Sequence, residues 1–265
     1  MFVPPIVLTA IGLSLVMQPG AFGARHEIIL ERIQAREDAG WVVPNPSFDS
    51  FDYIRLATGF ASSDWVVVNK QRPLDPIDYE PSNLREIVSS KTLDNSRGLE
   101  LADQAATALE QLAVQMSSDG AGKLFMNSAY RSYDYQAELF ISKTKQYGEA
   151  GALVRSAKAG HSEHQTGLAV DVSVPEQGCA IMQCFGDTVG GKWLAENSWK
   201  FGFIIRYELD TESVTGYTYE PWHLRYVGLD LAKLYRDRGY HTLEEFWGMP
   251  AAQYYLEEIT PSTSD

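Results

Sequence analysis

The stretch from residue 160 to residue 174 reads Gly160-His161-Ser162-Glu163-His164-Gln165-Thr166-Gly167-Leu168-Ala169-Val170-Asp171-Val172-Ser173-Val174. A polar loop that carries His164 leads directly into an apolar run, 168–174, whose single charged member is Asp171. This pattern predicts a buried strand that carries one carboxylate. Burying an isolated carboxylate is costly unless it is paired or binds a cation, so Asp171 requires a partner such as a metal ion.

A second imidazole is available downstream, in the segment Tyr219-Glu220-Pro221-Trp222-His223-Leu224-Arg225-Tyr226. Together, His164, Asp171 and His223 offer two nitrogens and one oxygen, and they leave a fourth position open for water. That donor set is typical of a catalytic zinc rather than a structural one. Glu220 precedes the last ligand by three residues and is the candidate general base. The chain has only five histidines, so two of them in these positions are informative.

Length, composition and charge limit the classes of protein that the chain can belong to. With 265 residues and 45% apolar content, it can bury a full core, as one domain with extensions. Its formal net charge is -13. Because sequence-independent binding of nucleic acid requires Lys and Arg to neutralise phosphates, this charge argues against a nucleic-acid partner.

The first 23 residues form a segment without a charged side chain, and it ends in small residues at Ala21 and Gly23. It is short for a membrane span, and we interpret it as an export signal. The basic residues that normally begin such a signal are missing, so a retained N-terminal anchor is the alternative. We expect a helix and a linker at 24–63, with the helix at 25–38. The catalytic domain is then expected at 64–250, followed by a C-terminal tail at 251–265.

Hydrophobic periodicity predicts the elements of the folded domain. Strand character is present at 65–70 and 124–129, and helical spacing at 99–116 and 134–147. Arg131 therefore stands where a strand gives way to a helix. An arginine at such a junction is usually a surface residue or part of a structural salt bridge. Its planar guanidinium is also suited to binding a carboxylate or an oxyanion beside a metal.

Four segments in order carry a family resemblance: Ser128-Ala129-Tyr130-Arg131-Ser132 with Gln136, the stretch 160–171, Gly202-Phe203-Ile204-Ile205-Arg206-Tyr207, and 220–228. They closely resemble the D-alanyl-D-alanine carboxypeptidase (VanY) family of zinc peptidases, over roughly 64–247. The resemblance implies an α+β fold, in which a small antiparallel sheet carries one zinc ion and helices pack around it. One departure is Ala159, where many relatives have proline.

The resemblance also implies roles for individual residues. The zinc ligands fall on His164, Asp171 and His223, the base on Glu220, and an arginine that binds substrate or transition state on Arg131. We expect five further residues at the substrate site: Ser128, Tyr130, Gln136, Ser162 and Trp222.

Some conspicuous side chains have simpler structural interpretations. His161 and His241 match no ligand position, so each is interpreted as a hydrogen-bonded structural residue. Trp222 is either a core aromatic residue or part of the substrate pocket. Glu163 is expected to brace the loop or to accept a hydrogen bond from a metal-binding imidazole.

The two cysteines, Cys179 and Cys184, lie in an insert after the Asp171 strand. Two sulfurs cannot close a structural zinc site by themselves, although they could ligate a metal. In an exported protein, a disulfide that closes this short loop is the better interpretation.

The resemblance implies a zinc-dependent carboxypeptidase that removes the C-terminal D-alanine from peptidoglycan stem peptides. A D,D-carboxypeptidase is favoured, and an L,D-carboxypeptidase acting on tetrapeptide stems is the alternative. An endopeptidase acting on cross-links is a third possibility. A zinc-containing domain that binds the cell wall without cleaving it is the non-catalytic alternative, but such a domain has no need of Glu220.

The expected setting is the periplasm or the exterior of the cell envelope. The expected partners are stem peptides, with membrane contact only if the leader is retained. We expect a monomer.

Overall fold

The computed structural model describes residues 58–259. The predicted leader, the predicted helix at 25–38 and most of the predicted linker lie outside the described residues. Within 58–259, no helix combines the length and apolar character that a membrane span requires.

Short strands alternate with helices along the described part of the chain. Its strands are β1 (Leu84–Glu86), β2 (Leu93–Asp94), β3 (Glu100–Ala102), β4 (Leu124–Ser128), β5 (Ala169–Ser173), β6 (Phe203–Ile205) and β7 (His223–Tyr226). Its α-helices are α1 (Asp103–Ser118), α2 (Tyr133–Leu153), α3 (Val189–Asn197), α4 (Glu212–Thr215), α5 (Leu229–Asp237), α6 (Leu243–Phe246) and α7 (Leu256–Ile259). The predicted α+β class is confirmed.

Five of the strands form one sheet in the order β2-β4-β5-β7-β6, and β1 pairs with β3 in a separate ribbon. Every neighbouring pair in the larger sheet is antiparallel except β2 with β4, which is parallel. The expected antiparallel sheet is therefore present, with one parallel pair at its edge.

Strand β5 lies at the centre of this sheet, and all five of its residues are buried. Burial on both faces explains why its sequence is a nearly continuous apolar run rather than an alternation. In the register with β7, Asp171 lies opposite His223, and in the register with β4 it lies opposite Ser128. The centre of the sheet therefore brings together residues that are 43 and 52 positions apart in sequence.

Helix α1 covers the sheet with an apolar stripe. Its buried residues are Ala105, Ala106, Ala108, Leu109, Leu112, Ala113 and Met116. The predicted helix began at residue 99, whereas the structure forms β3 first and starts the helix at Asp103. The difference arises because β3 pairs with β1, a long-range contact that helical periodicity does not report.

Helix α2 is interrupted at Gly148, which has a φ of 73° and a ψ of 167°. A left-handed φ of this kind favours glycine, since a Cβ would strain the backbone there. The predicted helix ended at residue 147, directly before this interruption, and the structure adds a further helical segment up to Leu153.

The segment 65–70 is not a strand, in contrast to the prediction. Its one bridge joins Asn69 to Arg72, although Val66, Val67 and Val68 are buried. Arginine side chains bind its carbonyl groups: Arg225 Nη2 donates to Val66 O at 2.9 Å, and Arg72 Nε donates to Val67 O at 3.3 Å. The β-branched run therefore reflects burial rather than pairing with a neighbouring strand.

After β5, a disulfide joins Cys179 to Cys184 in a loop that leads to α3. This pairing confirms the disulfide interpretation of the two cysteines, so neither thiol is available as a metal ligand.

The last part of the described chain packs against the rest of the domain. Within the segment that we expect to be a tail, Ala252 and Tyr255 are buried. The domain boundaries given above stay a prediction.

Candidate metal centre

His164 lies in a 3-10 turn, Glu163–Thr166, that ends at Gly167 with a φ of 69°. A Cβ on Gly167 would come within 2.9 Å of Leu84 Cδ2 and 3.1 Å of Ala102 N, so this turn requires glycine. The His164 Nδ1 atom lies 2.7 Å from Ala129 O. Because a carbonyl only accepts, Nδ1 carries the proton, and Nε2 is left with a free lone pair.

Asp171 faces both histidines from the centre of the sheet. Its Oδ2 is 3.3 Å from His164 Nε2, and its Oδ1 is 3.2 Å from His223 Nδ1. The other nitrogen of His223, Nε2, faces Glu163 Oε2 at 3.4 Å. One nitrogen of each imidazole thus faces the carboxylate of Asp171, and the opposite nitrogen faces an acceptor.

The three groups fit a metal ion. One ligand atom from each of His164, Asp171 and His223 lies within 4.8 Å of the others, and all three residues are buried. Among the described residues, His164 Nε2 and Asp171 Oδ1 have no hydrogen-bond partner. Buried polar atoms without partners are rare in folded proteins, so their convergence here indicates a cation site. Two imidazoles and a carboxylate with a free coordination position suit zinc.

The electrostatics around these ligands favour a positive charge. Burial raises the pKa of Asp171, but the adjacent His164 and His223 outweigh it and hold this pKa well below its usual range. Burial and the nearby Arg131 lower the pKa of His164 to about 4, so its imidazole is neutral at neutral pH. Burial also lowers the pKa of His223, but its contacts with Asp171 and Glu163 raise it to about 9. The carboxylates thus attract positive charge at His223, while His164 stays in the neutral form that can bind a cation.

Glu163 is held by two buried arginines from the neighbouring strands. Its Oε1 accepts hydrogen bonds from Arg206 Nε at 2.8 Å and from Arg225 Nη1 at 2.9 Å. Arg206 also binds Glu244 through Nη1 at 3.0 Å and Nη2 at 2.7 Å. Burial raises the pKa of Glu163, but Arg225 and Arg206 outweigh it and lower this pKa strongly. Glu163 therefore stays an anion beside His223.

Glu220 lies in the turn that precedes β7. Its backbone nitrogen donates to Tyr207 O at 2.9 Å, and its carbonyl accepts from His223 N at 3.1 Å. The side chain brings Oε2 to 3.6 Å from His223 Nδ1. Burial raises the pKa of Glu220 to about 8, with Asp171 acting in the same direction, while His223 and Arg131 oppose the rise. A carboxyl group of this kind can exchange a proton near neutral pH.

Arg131 follows β4 and reaches the same site. Its Nη2 is 3.5 Å from Asp171 Oδ2, and its Nη1 donates to Gln136 Oε1 at 2.8 Å. Gln136 is itself fixed, because its Nε2 donates to Ala157 O at 2.6 Å. Arg131 Nε has no partner among the described residues. The guanidinium is thus held in place with donor capacity remaining.

Two connected spaces give access to these residues. The larger, which we call the cleft, has a volume of about 430 Å³, and its lining includes Ser128, Arg131, Asp171, Ile181, Glu220 and Trp222. The smaller, which we call the recess, has a volume of about 40 Å³, and its lining includes Ser162, His164, Tyr207, Tyr217, Glu220 and His223. Arg131 and Glu220 line both spaces.

The structure brings most of the predicted site residues together. Ser128 and Trp222 line the cleft, and Ser162 lines the recess. Tyr130 lines neither space, and Gln136 is buried behind Arg131.

Several charged residues near the site had no role predicted from the sequence. Arg206 and Arg225 bind Glu163, while Arg97, Lys143 and Arg155 line the cleft. The sequence carried no signal for the last three, because basic and acidic residues are balanced in the stretch 97–158.

The two histidines outside the site have structural contacts. His161 Nδ1 lies 2.8 Å from Asn69 O, and its ring packs edge-on against Tyr255 with the ring centres 5.0 Å apart. His241 Nδ1 lies 2.7 Å from Glu208 Oε2. Both agree with the structural interpretation of these residues.

Comparisons with known proteins agree with this geometry. Residues 98–229 match the family model described as D-alanyl-D-alanine carboxypeptidase (VanY). YodJ of Bacillus subtilis (strain 168) is 41% identical over 184 residues, which cover 68% of this chain and 66% of that protein. The chain spans about half to two thirds of the length of the first curated relatives that it matches.

Solved structures show the same fold. The LdcB LD-carboxypeptidase is 39% identical with a TM-score of 0.62, and the match covers 72% of this chain and 88% of that one. A mutant of the vancomycin-resistance D,D-pentapeptidase VanY, solved in complex with Zn(II), is 30% identical with a TM-score of 0.57. That match covers 68% of this chain and 97% of the other.

The family match spans β4, β5 and β7, and with them both histidines and the carboxylate of the metal centre. The chain belongs to the D-alanyl-D-alanine carboxypeptidase (VanY) family.

Proposed function

We propose that the chain is a zinc-dependent carboxypeptidase that removes the C-terminal D-alanine from peptidoglycan stem peptides, with one zinc per chain. The observation that carries this proposal is the position of Glu220. Its carboxylate lies in the cleft beside the metal ligands, 3.6 Å from His223 Nδ1. A domain that only bound cell-wall peptide would need no proton-transfer group at that point, so Glu220 argues for an enzyme.

Each protein group has a part in the proposed reaction. When bound, zinc supplies Lewis-acid chemistry that polarises a peptide carbonyl and lowers the pKa of a water molecule to roughly 7. Glu220 takes a proton from the attacking water at its carboxylate, and it later delivers that proton to the amine of the departing amino acid. The environment of Glu220 suits both steps, because burial raises its pKa to about 8.

Arg131, which lies beside Asp171, is proposed to act on the substrate. Its guanidinium balances negative charge on the carbonyl oxygen in the transition state, or it binds the terminal carboxylate of the peptide. Gln136 fixes the position of this guanidinium. Ser128, Ser162 and Trp222 complete the proposed substrate site, whereas Tyr130 lines neither space.

The proposed bond specificity is D,D, as in a pentapeptide stem. An L,D bond, as in a tetrapeptide stem, is the second candidate, and the similarity to the LdcB LD-carboxypeptidase favours it. Mass spectrometry of defined pentapeptide and tetrapeptide stems, after incubation with the zinc-loaded protein, tests both. Loss of one alanine from the pentapeptide alone supports the D,D assignment, and loss from the tetrapeptide supports the L,D assignment. Two unchanged substrates would contradict the proposed function.

We propose that the protein acts outside the cytoplasm, with a mature chain that starts near Ala24, and that it works as a monomer. The support is the uncharged segment at 1–23 with small residues at its end, together with the disulfide between Cys179 and Cys184. Intact-mass measurement of protein from the native host tests this. An uncleaved leader together with two free thiols would contradict it.

A further inference from the structure

The cleft carries a charge opposite to that of the whole chain. The formal net charge is -13, yet four cationic side chains line the cleft: Arg97, Arg131, Lys143 and Arg155. The acidic residues in this lining are Asp171 and Glu220, and both belong to the metal end. The rest of the cleft is therefore positive, although the protein as a whole repels anions.

Three of these cations have no acidic partner within 58–259. Arg97 Nη1 donates to Asn127 O, and Arg155 Nη1 donates to Gly151 O at 3.0 Å. Lys143 Nζ and the Arg155 guanidinium lie over the ring of Tyr147, at 5.7 Å and 5.3 Å from its centre. These contacts with carbonyl groups and with an aromatic ring position the cations but do not neutralise their charge.

Several cations elsewhere on the surface form ion pairs. Arg85 binds Asp103 and Glu110, Lys123 binds Asp94, and Lys158 binds Glu257. The cleft is distinctive because three cations without an ion pair among the described residues line the same space, in a chain with 35 acidic and 22 basic residues.

The cations come from different elements around the cleft. Lys143 belongs to α2, and Arg155 follows that helix, whereas Arg97 precedes β3 and contacts the backbone of β4. A group that enters the cleft therefore meets positive charge from more than one element.

Exposure distinguishes these cations from Arg131. The side chain of Arg131 is 14% exposed, whereas Arg97 and Arg155 are exposed and Lys143 is half-buried. An exopeptidase receives the end of a peptide at the buried end of its cleft, and the remainder of the peptide leads outward. Arg97 and Lys143 line the cleft but not the recess that holds His164 and His223, so they are placed to face the part of the substrate that precedes the bond to be cut. Arg155 lines both spaces.

We propose that Arg97, Lys143 and Arg155 form an anion subsite that selects peptides with a free carboxylate on the N-terminal side of the scissile bond. This inference rests on the proposed function and specifies its substrate class as acidic peptides. Guanidinium groups match the planar geometry of a carboxylate, and Lys143 adds a point charge. The charges are partly solvated, so the selectivity is modest, roughly tenfold, and weakens with salt.

Two matched substrates test the subsite. One is the pentapeptide L-alanyl-γ-D-glutamyl-L-lysyl-D-alanyl-D-alanine, and the other is the same peptide with the α-carboxylate of its glutamate amidated. The tetrapeptide pair, which lacks the last alanine, is measured alongside. The wild type is expected to show a kcat/KM about tenfold higher on the free acid, with the ratio falling as salt is added.

The variants Lys143→Gln and Arg155→Gln are expected to bring this ratio close to one, mainly by raising KM for the acidic peptide. Lys145→Gln is the matched control, because Lys145 lies on the same helix, is exposed and does not line the cleft. Its ratio is expected to stay at the wild-type value. Thermal unfolding of each variant verifies that the fold is retained.

The outcomes separate this inference from the proposed function. Equal kcat/KM on acid and amide in the wild type would overturn the subsite and leave the peptidase intact. An equal effect of Lys145→Gln would also overturn it, since general surface charge would then explain the ratio. If neither peptide is cleaved, the proposed function fails. Calorimetric titration of both peptides into zinc-loaded Glu220→Gln then tests the subsite without turnover. Tighter binding of the acidic peptide supports the subsite, and equal binding of the two peptides contradicts it.

Discussion

Asp171 on β5 lies directly opposite His223 on β7, and Oδ1 of the carboxylate is 3.2 Å from Nδ1 of the imidazole. Opposite residues in an antiparallel pair present their side chains on the same face of the sheet. The register of one strand pair thus positions two of the three ligands. A shift of β5 by one residue in this register would turn the Asp171 side chain to the other face of the sheet and remove the site.

The metal centre predicts a loss of zinc when either imidazole is removed. The wild type is expected to bind about one zinc per chain, and His164→Ala or His223→Ala should weaken binding by roughly a hundredfold or more, because one of three protein ligands is lost. Elemental analysis after dialysis measures this. His241→Ala, which alters an exposed histidine outside the site, is the control and should keep its zinc. Full zinc occupancy in both ligand variants would refute the assignment.

The position of Glu163 predicts a double effect of Glu163→Gln. Zinc affinity should fall by about 10- to 100-fold, since His223 loses a charged acceptor that orients it. The free energy of unfolding should fall by about 3 kcal/mol or more, because Arg206 and Arg225 remain buried without their shared anion. Chelator competition and urea unfolding measure the two effects. Glu245→Gln alters an exposed neighbour of Glu244 and should change neither the zinc affinity nor the free energy of unfolding. If Glu163→Gln also left both quantities unchanged, the role of Glu163 would be contradicted.

The ligands could be predicted from sequence because each left a local signal. Asp171 is the single charge in an apolar run, and the turn that carries His164 is marked by Gly167. The partners of Glu163 left no such signal. Arg206 and Arg225 lie 43 and 62 residues away in sequence, and only the pairing of β5, β6 and β7 brings them to the same carboxylate.

The errors in the predicted elements have a physical cause as well. Val66, Val67 and Val68 are apolar and β-branched because they are buried, and no strand within 58–259 pairs with them. The predicted start of α1 was too early because Glu100–Ala102 forms β3, which pairs with β1 in the ribbon. No role could be predicted for the cations of the cleft, since in the sequence they resemble any exposed lysine or arginine.

The contacts of Arg131 predict how the terminal carboxylate of the substrate is recognised. Arg131→Lys should be damaging although the charge is kept, because an ammonium group cannot form a two-pronged hydrogen bond. If Arg131 binds the carboxylate, amidating the C-terminus of the peptide should reduce kcat/KM far more for the wild type than for the variant. Measuring kcat/KM for both enzymes on both peptides decides this. Equal losses in the variant on free and amidated peptides would assign Arg131 to the transition-state oxyanion instead.

The disulfide predicts a modest stabilisation of the loop beside the cleft. Replacing Cys179 and Cys184 by serine should lower the free energy of unfolding by about 2 kcal/mol, because the closed loop is short. Ile181, inside this loop, lines the cleft, so KM should rise while zinc content stays the same. Urea unfolding and steady-state kinetics test this. A double serine variant with unchanged stability and unchanged KM would contradict both expectations.

The most direct test of the account is turnover by Glu220→Ala, with the zinc content of the same sample measured. Glu220 is not a ligand in the proposed site, so the variant should retain about one zinc per chain and the wild-type unfolding transition. Its kcat on the stem peptide that the wild type cleaves should fall by roughly a thousandfold or more, since proton transfer to and from the reacting groups is lost. Turnover close to the wild-type rate at full zinc occupancy would contradict the central claim that Glu220 is the general base of a zinc carboxypeptidase.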